Sequence, residues 1–432
     1  MVFDALLAVS IVLSLLALFR MRPSLFMVAI NQVVVLRAMS NIERYGQPES
    51  QAYVPSSVFS TENIEIAKAL FAIATFVLAI GICAPERKRS QQELPALPSW
   101  LTLFLGLYFL MVAISTRTIL THGYTDPGRI IFNVNLSGIH ELLVGLMLYE
   151  VYRRVVIGSL QPLLALALLF LMFSATDYLK GSTGFATGTL IGAAILFFRQ
   201  EARSWRRWGQ LAGTLLLLVA TAVVVRGVRS EFHTEGQQAV EEMVRDAAQG
   251  EEDVARNGEG IEGRANGSQY AAHVLECISL YESGIRRDWR SIYLPLEYTF
   301  KPSILVNMLG WERSEEAAWE LSRYYIHGGG TYLLGELYWN GGYLCVWLVF
   351  AGLVWVLFLS DTRAPNSLFW CALVCVIDVG LFQGIGYGFA QTSRGAINGV
   401  IAFFIIKAIG TKATKDAGLE SYRHSNGAMT KS

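Results

Sequence analysis

Charge is scarce in this chain, and cysteine scarcer. Of 432 residues, 16 % are Asp, Glu, Lys or Arg, against about a quarter in ordinary soluble proteins. So little charge cannot clothe the two or three soluble domains that length alone suggests. The five cysteines are Cys83, Cys277, Cys345, Cys371 and Cys375. Four lie in apolar segments, and together they show neither a disulfide framework nor metal-ligand spacing. No Gly-rich phosphate loop followed by Lys and Ser/Thr is present, nor a nucleophile elbow, nor paired catalytic acids. A nucleotide-driven pump is thereby excluded. Long apolar/polar alternation is missing, which argues against a membrane β-barrel. No internal repeat supports an inverted-repeat transporter. Net charge is zero, so the total gives no sign of a nucleic-acid partner.

Apolar residues fill the space left. They make up 53 % of the chain, with 23 Phe and 10 Trp, and the mean hydropathy is +0.40. A helix crosses a bilayer core with about 20 apolar residues, and about eleven stretches qualify. They are Val2–Phe19, Ser24–Leu36, Ile64–Cys83, Trp100–Ser115, Ile139–Tyr152, Val156–Ala175, Gly184–Phe198, Leu211–Val225, Thr331–Phe358, Ser367–Phe389 and Ala396–Ile409. Met1–Phe19 lacks a basic start and a small-residue cleavage site, so it reads as a retained first helix. The expectation is an all-α polytopic membrane protein. Residues 1–225 would carry the N-terminal transmembrane helices, 226–330 one large loop, 331–409 the C-terminal helices and 410–432 a tail.

Basic residues orient it. Alternate loops carry Arg20 and Arg22; Arg87, Lys88 and Arg89; Arg153 and Arg154; Arg199, Arg203, Arg206 and Arg207; Arg363; and finally Lys412, Lys415, Arg423 and Lys431. Such loops stay in the cytoplasm, which puts the N-terminus outside and the C-terminus inside. Ala38–Asn63, Thr116–Gly138 and Thr176–Thr183 are then external, with the large loop and a turn at Gln391–Arg394. Residues 226–330 hold 18 Asp and Glu and 11 Lys and Arg. Glu231–Ser268 reads as a solvated helix followed by a flexible stretch. From Tyr270 the sequence turns aromatic, and Ala271–Ile285 has helical apolar spacing. That half is expected to fold against the membrane helices.

Three constellations could carry chemistry. Arg286, Arg287 and Arg290 offer planar forks for phosphate, and on a helix 286 and 290 would share a face. The alternative is a solvated face. Arg264, Lys301, Arg313 and Arg323 are further basic candidates for substrate binding, with an ordinary surface place as their alternative. His327 precedes Gly328-Gly329-Gly330. An imidazole exchanges a proton near neutral pH, and glycines let backbone approach a ligand; a helix-capping histidine is the other reading. Glu336 is expected one to two turns inside a helix that begins near Thr331. A carboxylate at that depth needs a polar cavity or a partner, which a structural salt bridge would also supply. Tyr338, Asn340, Gly341 and Gly342 follow it, Asn340 being a further candidate for substrate contact.

Tyr281–Arg290, the aromatic Pro/Lys stretch Leu294–Pro302, Gly310-Trp311-Glu312-Arg313 and then His327–Gly342 ahead of a long apolar helix carry a resemblance. The chain resembles the O-antigen polymerase (Wzy-type), or oligosaccharide repeat-unit polymerase, family and the related O-antigen ligases. The likeness implies a GT-C-like fold with one large periplasmic loop, and a metal-independent glycosyltransferase that needs no cofactor. Such an enzyme joins undecaprenyl-diphosphate-linked oligosaccharides at the outer face of the bacterial inner membrane. It implies His327 and Glu336 as catalytic residues. Arg286, Arg287, Arg290, Arg264, Lys301, Arg313, Arg323 and Asn340 would bind substrate. Membrane lipid, a chain-length regulator and a flippase are the other implied partners, with no nucleic acid. Three alternatives remain. A ligase shares the donor and the junction. A flippase predicts polar residues along several helices and no dominant loop. A scaffold predicts that His327 and Glu336 are dispensable.

Overall fold

The computed structural model describes residues 1–46, 56–85, 94–122, 137–174, 183–199, 205–221, 268–300, 316–325, 331–379, 381, 385–386, 388–390 and 392–409. Among the described residues the chain is helical, with no strand. The helices are α1 Val2–Phe19, α2 Pro23–Tyr45, α3 Thr61–Cys83, α4 Ser99–His122, α5 Ser137–Val156, α6 Pro162–Phe173, α7 Thr183–Phe198 and α8, residues 205–221. Then come α9 Ser268–Glu282, α10 Arg290–Phe300, α11 Ala317–Leu321, α12 Leu333–Arg363, α13 Leu368–Ile377 and α14 Thr392–Ile409. Five of them, α1, α2, α3, α12 and α14, are long and apolar enough to cross a membrane. Shorter apolar helices accompany them at Ser99–Ala113, Pro162–Phe173, Phe185–Phe198 and Leu368–Ile377. This is the make-up of an α-helical membrane protein.

The helices gather around two apolar cores. One draws Leu13, Leu25, Leu36, Phe71, Leu78, Val274, Leu337 and Leu357 from α1, α2, α3, α9 and α12. The other draws Leu105, Tyr149, Leu169, Ala193, Leu196, Leu211, Val376 and Ala402 from α4 to α8 with α13 and α14. A tight turn joins α1 to α2. There Arg22 is fully buried and donates to the carbonyls of Gly81, Ile82 and Ala84. It closes the end of α3, whose last carbonyls have no partner inside the helix. At the other end of the chain, the Asp361 carboxylate accepts the amides of Ser24 (3.1 Å) and Leu25 (3.0 Å) and caps the start of α2.

Three expectations are corrected. The helix expected over Ser24–Leu36 runs on to Tyr45, through residues read as an external loop. The polar residues behind the low hydropathy are satisfied inside the bundle. Gln32 donates to Thr75 Oγ1 at 2.5 Å, Asn31 to the Met27 carbonyl at 3.2 Å, and Ser40 to Asp4 at 2.5 Å. The span expected over Ser367–Phe389 stops at Ile377, with Asp378 at its C-cap. The one expected from Val156 begins at Pro162, after a turn through Gly158 at φ 75°. Of the large loop, only 268–300 and 316–325 fall among the described residues, and the tail 410–432 lies outside them.

Within that loop, α9 packs chiefly on α12, and also on α2 and α3. From Ala271 to Leu280, all side chains except Ser279 are buried. Burying Val274, Leu275 and Ile278 contributes about 1.5–3 kcal/mol apiece. The close fit needs a glycine. A Cβ on Gly335 of α12 would sit 2.8 Å from the Val274 Cα.

Candidate functional site

α12 is not one straight rod. At Gly341 and Gly342 (φ 61°, ψ −154°) its backbone leaves the helical region, and an N-terminal segment, Leu333–Asn340, is separated from the rest. A break leaves terminal carbonyls without helical partners, and in a membrane protein these must be satisfied by other protein groups. The segment between α9 and α10 supplies them. The Arg287 amide donates to the Trp339 carbonyl (3.3 Å) and the Trp289 amide to the Asn340 carbonyl (3.2 Å). Two side chains finish the seam. Asn340 Oδ1 accepts the Ser291 amide at 3.0 Å, and its Nδ2 donates to Ser291 Oγ at 3.0 Å and to the Glu336 carbonyl at 2.7 Å. Trp339 Nε1 donates to the Ile285 carbonyl at 2.7 Å. Asp288 and Trp289 adopt positive φ, 49° and 63°, each costing roughly 1–2 kcal/mol for a residue with a Cβ. The seam holds them there.

This fold divides the three arginines. Arg287 is fully buried. It pairs with Glu320 of α11 at 2.5 Å and lies over the Trp339 ring at 5.2 Å. A buried guanidinium without such a partner would be costly. Arg286 is exposed and stacks on Tyr281, 4.7 Å from the ring centre. Arg290 is exposed, 3.8 Å from Glu320. Arg286 and Arg290 do not share a helix face, because α9 ends at Glu282 and α10 starts only at Arg290. Arg323 is exposed just after α11. His327, Arg264, Lys301 and Arg313 lie outside the described residues.

Glu336 is 1 % exposed. The helix begins at Leu333, so Glu336 stands in its first turn, shallower than expected and where the helix dipole favours an anion. Its Oε2 accepts from Thr331 Oγ1 at 3.0 Å and from the Phe389 amide at 2.8 Å. Gly388 (φ 99°) lies directly against that oxygen, leaving no space for a Cβ. Glu336 thus pins the segment before α14 to the N-terminal end of α12. The structure brings Glu336, Asn340 and Arg287 together and leaves Arg286 and Arg290 at the rim.

Sequence reading missed several contributors. Ser291, Thr331 and Glu320 hold the site together, and their residue types give no signal apart from their partners. Tyr338 donates to Glu282 at 2.7 Å. Glu276 is 1 % exposed in α9, and among the described residues its Oε2 accepts no hydrogen bond. Burial pushes its carboxyl up to about 8. The Cys277 thiol beside it is pushed up by burial and by the neighbouring carboxylates Glu276 and Glu336. A lone acid within the apolar run Ala271–Leu280 was the available clue. Among the described residues, no three His, Cys, Asp or Glu side chains gather to hold a metal ion. Compared with protein-family models, curated proteins and solved structures, the chain matches none.

Proposed function

We propose that this chain is a metal-independent membrane glycosyltransferase that joins undecaprenyl-diphosphate-linked oligosaccharide repeat units into a polymer. Its place would be the outer face of the bacterial inner membrane, with about eleven spans in a GT-C-like arrangement and basic loops in the cytoplasm. One observation carries the reading. Residues 285–291 are sewn to the outer part of α12 so that Arg287 faces inward while Arg286 and Arg290 face out beside the break. Rigidly backed guanidinium forks suit a diphosphate leaving group.

In this reading the acceptor sugar hydroxyl attacks the anomeric carbon of the donor glycan. The bond from that carbon to the diphosphate oxygen breaks, and the diphosphate departs with the electron pair. Arg286 and Arg290 stabilise its growing charge. The hydroxyl proton passes to His327. Glu336, already engaged by Thr331 and Phe389, is a positioning residue that fixes the outer end of α12.

Deleting the gene and resolving the surface glycan on a gel tests the reading. Single repeats support polymerase. Free lipid-linked polymer would point to a ligase instead, and loss of all external glycan to a flippase. Complementation with Arg286→Ala or Arg290→Ala should then leave short chains at normal protein levels.

A further inference from the structure

A second polar site lies far along the sequence from the broken helix, and it stands independently of the transferase reading. α4 buries Leu101, Leu105 and Phe109 against the core and leaves Leu103, Leu107 and Leu110 exposed. Between that exposed face and the end of α5 runs an open groove of about 510 Å³ that includes Gly106, within the roughly 300–1,000 Å³ range of small-molecule sites. A side-chain carbon at Gly106 would meet nothing within 4 Å.

The groove closes on charge. Glu150, 4 % exposed, accepts Arg153 Nε (3.0 Å) and Nη2 (2.8 Å), Arg154 Nε (2.9 Å) and the Leu97 amide (3.3 Å). One carboxylate therefore fixes two guanidinium groups and neutralises only one of them. Among the described residues, neither Nη group of Arg154 has a partner, nor does Nη1 of Arg153. The result is a net positive, preorganised fork at the end of an apolar channel. It belongs to the basic-loop series, the side on which anionic lipids attract arginines, by about 1 kcal/mol each.

We infer that the groove between α4 and the end of α5 seats one anionic glycerophospholipid. Its phosphate lies on the free N–H groups of Arg153 and Arg154, and an acyl chain lies along Leu103, Gly106, Leu107 and Leu110. The apolar length selects a lipid over free phosphate, and the uncompensated charge selects an anionic headgroup over a zwitterionic one.

The test uses the purified full-length protein in detergent, titrated separately with phosphatidylglycerol, phosphatidylcholine of the same chains and inorganic phosphate. Bound molecules are counted by native mass spectrometry. One phosphatidylglycerol should bind in preference to phosphatidylcholine, and phosphate should not displace it. Arg154→Gln leaves the Arg153–Glu150 pair intact and should weaken phosphatidylglycerol about five-fold, the equivalent of about 1 kcal/mol. Gly106→Leu puts a side chain into the groove from a Cβ that meets nothing within 4 Å and should weaken it at least as much, while thermal unfolding in lipid-free detergent is not lowered for either variant. Equal binding of the two lipids, displacement by phosphate, or unchanged affinity in both folded variants overturns the proposal.

Discussion

The amide of Trp289 donates to the carbonyl of Asn340 at 3.2 Å, joining the segment between α9 and α10 to an apolar helix 51 positions further along the chain. Trp289's indole also lies where a Cβ on Gly341 would come within 3.1 Å. The next glycine, Gly342, combines a left-handed φ of 61° with Tyr281 Oη only 2.8 Å from its missing Cβ. Gly342→Ala should therefore cost roughly 1–3 kcal/mol for the backbone alone, with the clash in addition. Thermal unfolding in detergent, combined with proteolysis of the 226–330 region, measures it. A variant as stable and protease-resistant as the parent would show that the break is not held this way.

The three arginines should separate by phenotype. Arg287→Ala leaves Glu320, only 14 % exposed, with just the looser Arg290 contact at 3.8 Å, and removing one partner of a buried pair typically costs about 3–5 kcal/mol. The protein should fail to accumulate. Arg286→Ala and Arg290→Ala should accumulate normally and lose polymer. Replacement by Lys at either rim position keeps the charge but loses the fork, so activity should still fall. Quantified membrane levels beside glycan length decide it, and normal chains in both rim variants would reduce the pair to a solvated edge.

Glu276 makes stability depend on pH. Its carboxyl sits at about 8 when folded, against 4.5 as the ordinary value. The folded state holds the proton more tightly, so its advantage is complete below about 4.5 and declines as pH rises towards about 8. Thermal unfolding in detergent should come at a lower temperature at about pH 8 than at about pH 5. Glu276→Gln should flatten that slope and stabilise the protein at the alkaline end. A wild-type midpoint that is level across this range would remove burial of Glu276 as a determinant.

Orientation follows from the alternation of basic loops. Reporter fusions after Arg203 and Gly250 should report cytoplasm and periplasm respectively. Both landing on one side would break the order of spans.

The apolar helices were legible where nothing polar interrupts them; α1 has the bounds that hydropathy gives it. α2 was read short because hydropathy counts Asn31, Gln32 and Arg37 against burial, whereas Thr75 and the Met27 carbonyl satisfy the first two. The interruption of α13 at Asp378 escaped for the opposite reason, since one acid barely dents a long apolar average. At the candidate site, residue type could not rank its members. Arg286 and Arg287 are adjacent and identical; only Glu320 and Trp339, brought in by the fold, bury one and leave the other exposed. The need of Glu336 for a partner was readable, and Thr331 lies close in sequence, but the Phe389 amide comes from across the chain.

The seam on α12 also bears on how such a segment can evolve. The amides of 287, 289 and 291 pair inward, on the carbonyls of Trp339 and Asn340 and the side chain of Asn340, while the side chains of 286, 288 and 290 are exposed. Inserting or deleting one residue would carry these amides off their partners and unpair the ladder at every rung, so the segment's length is under strong constraint. The exposed side chains of 286, 288 and 290 take no part in that ladder, so substitutions there leave the anchoring register unchanged.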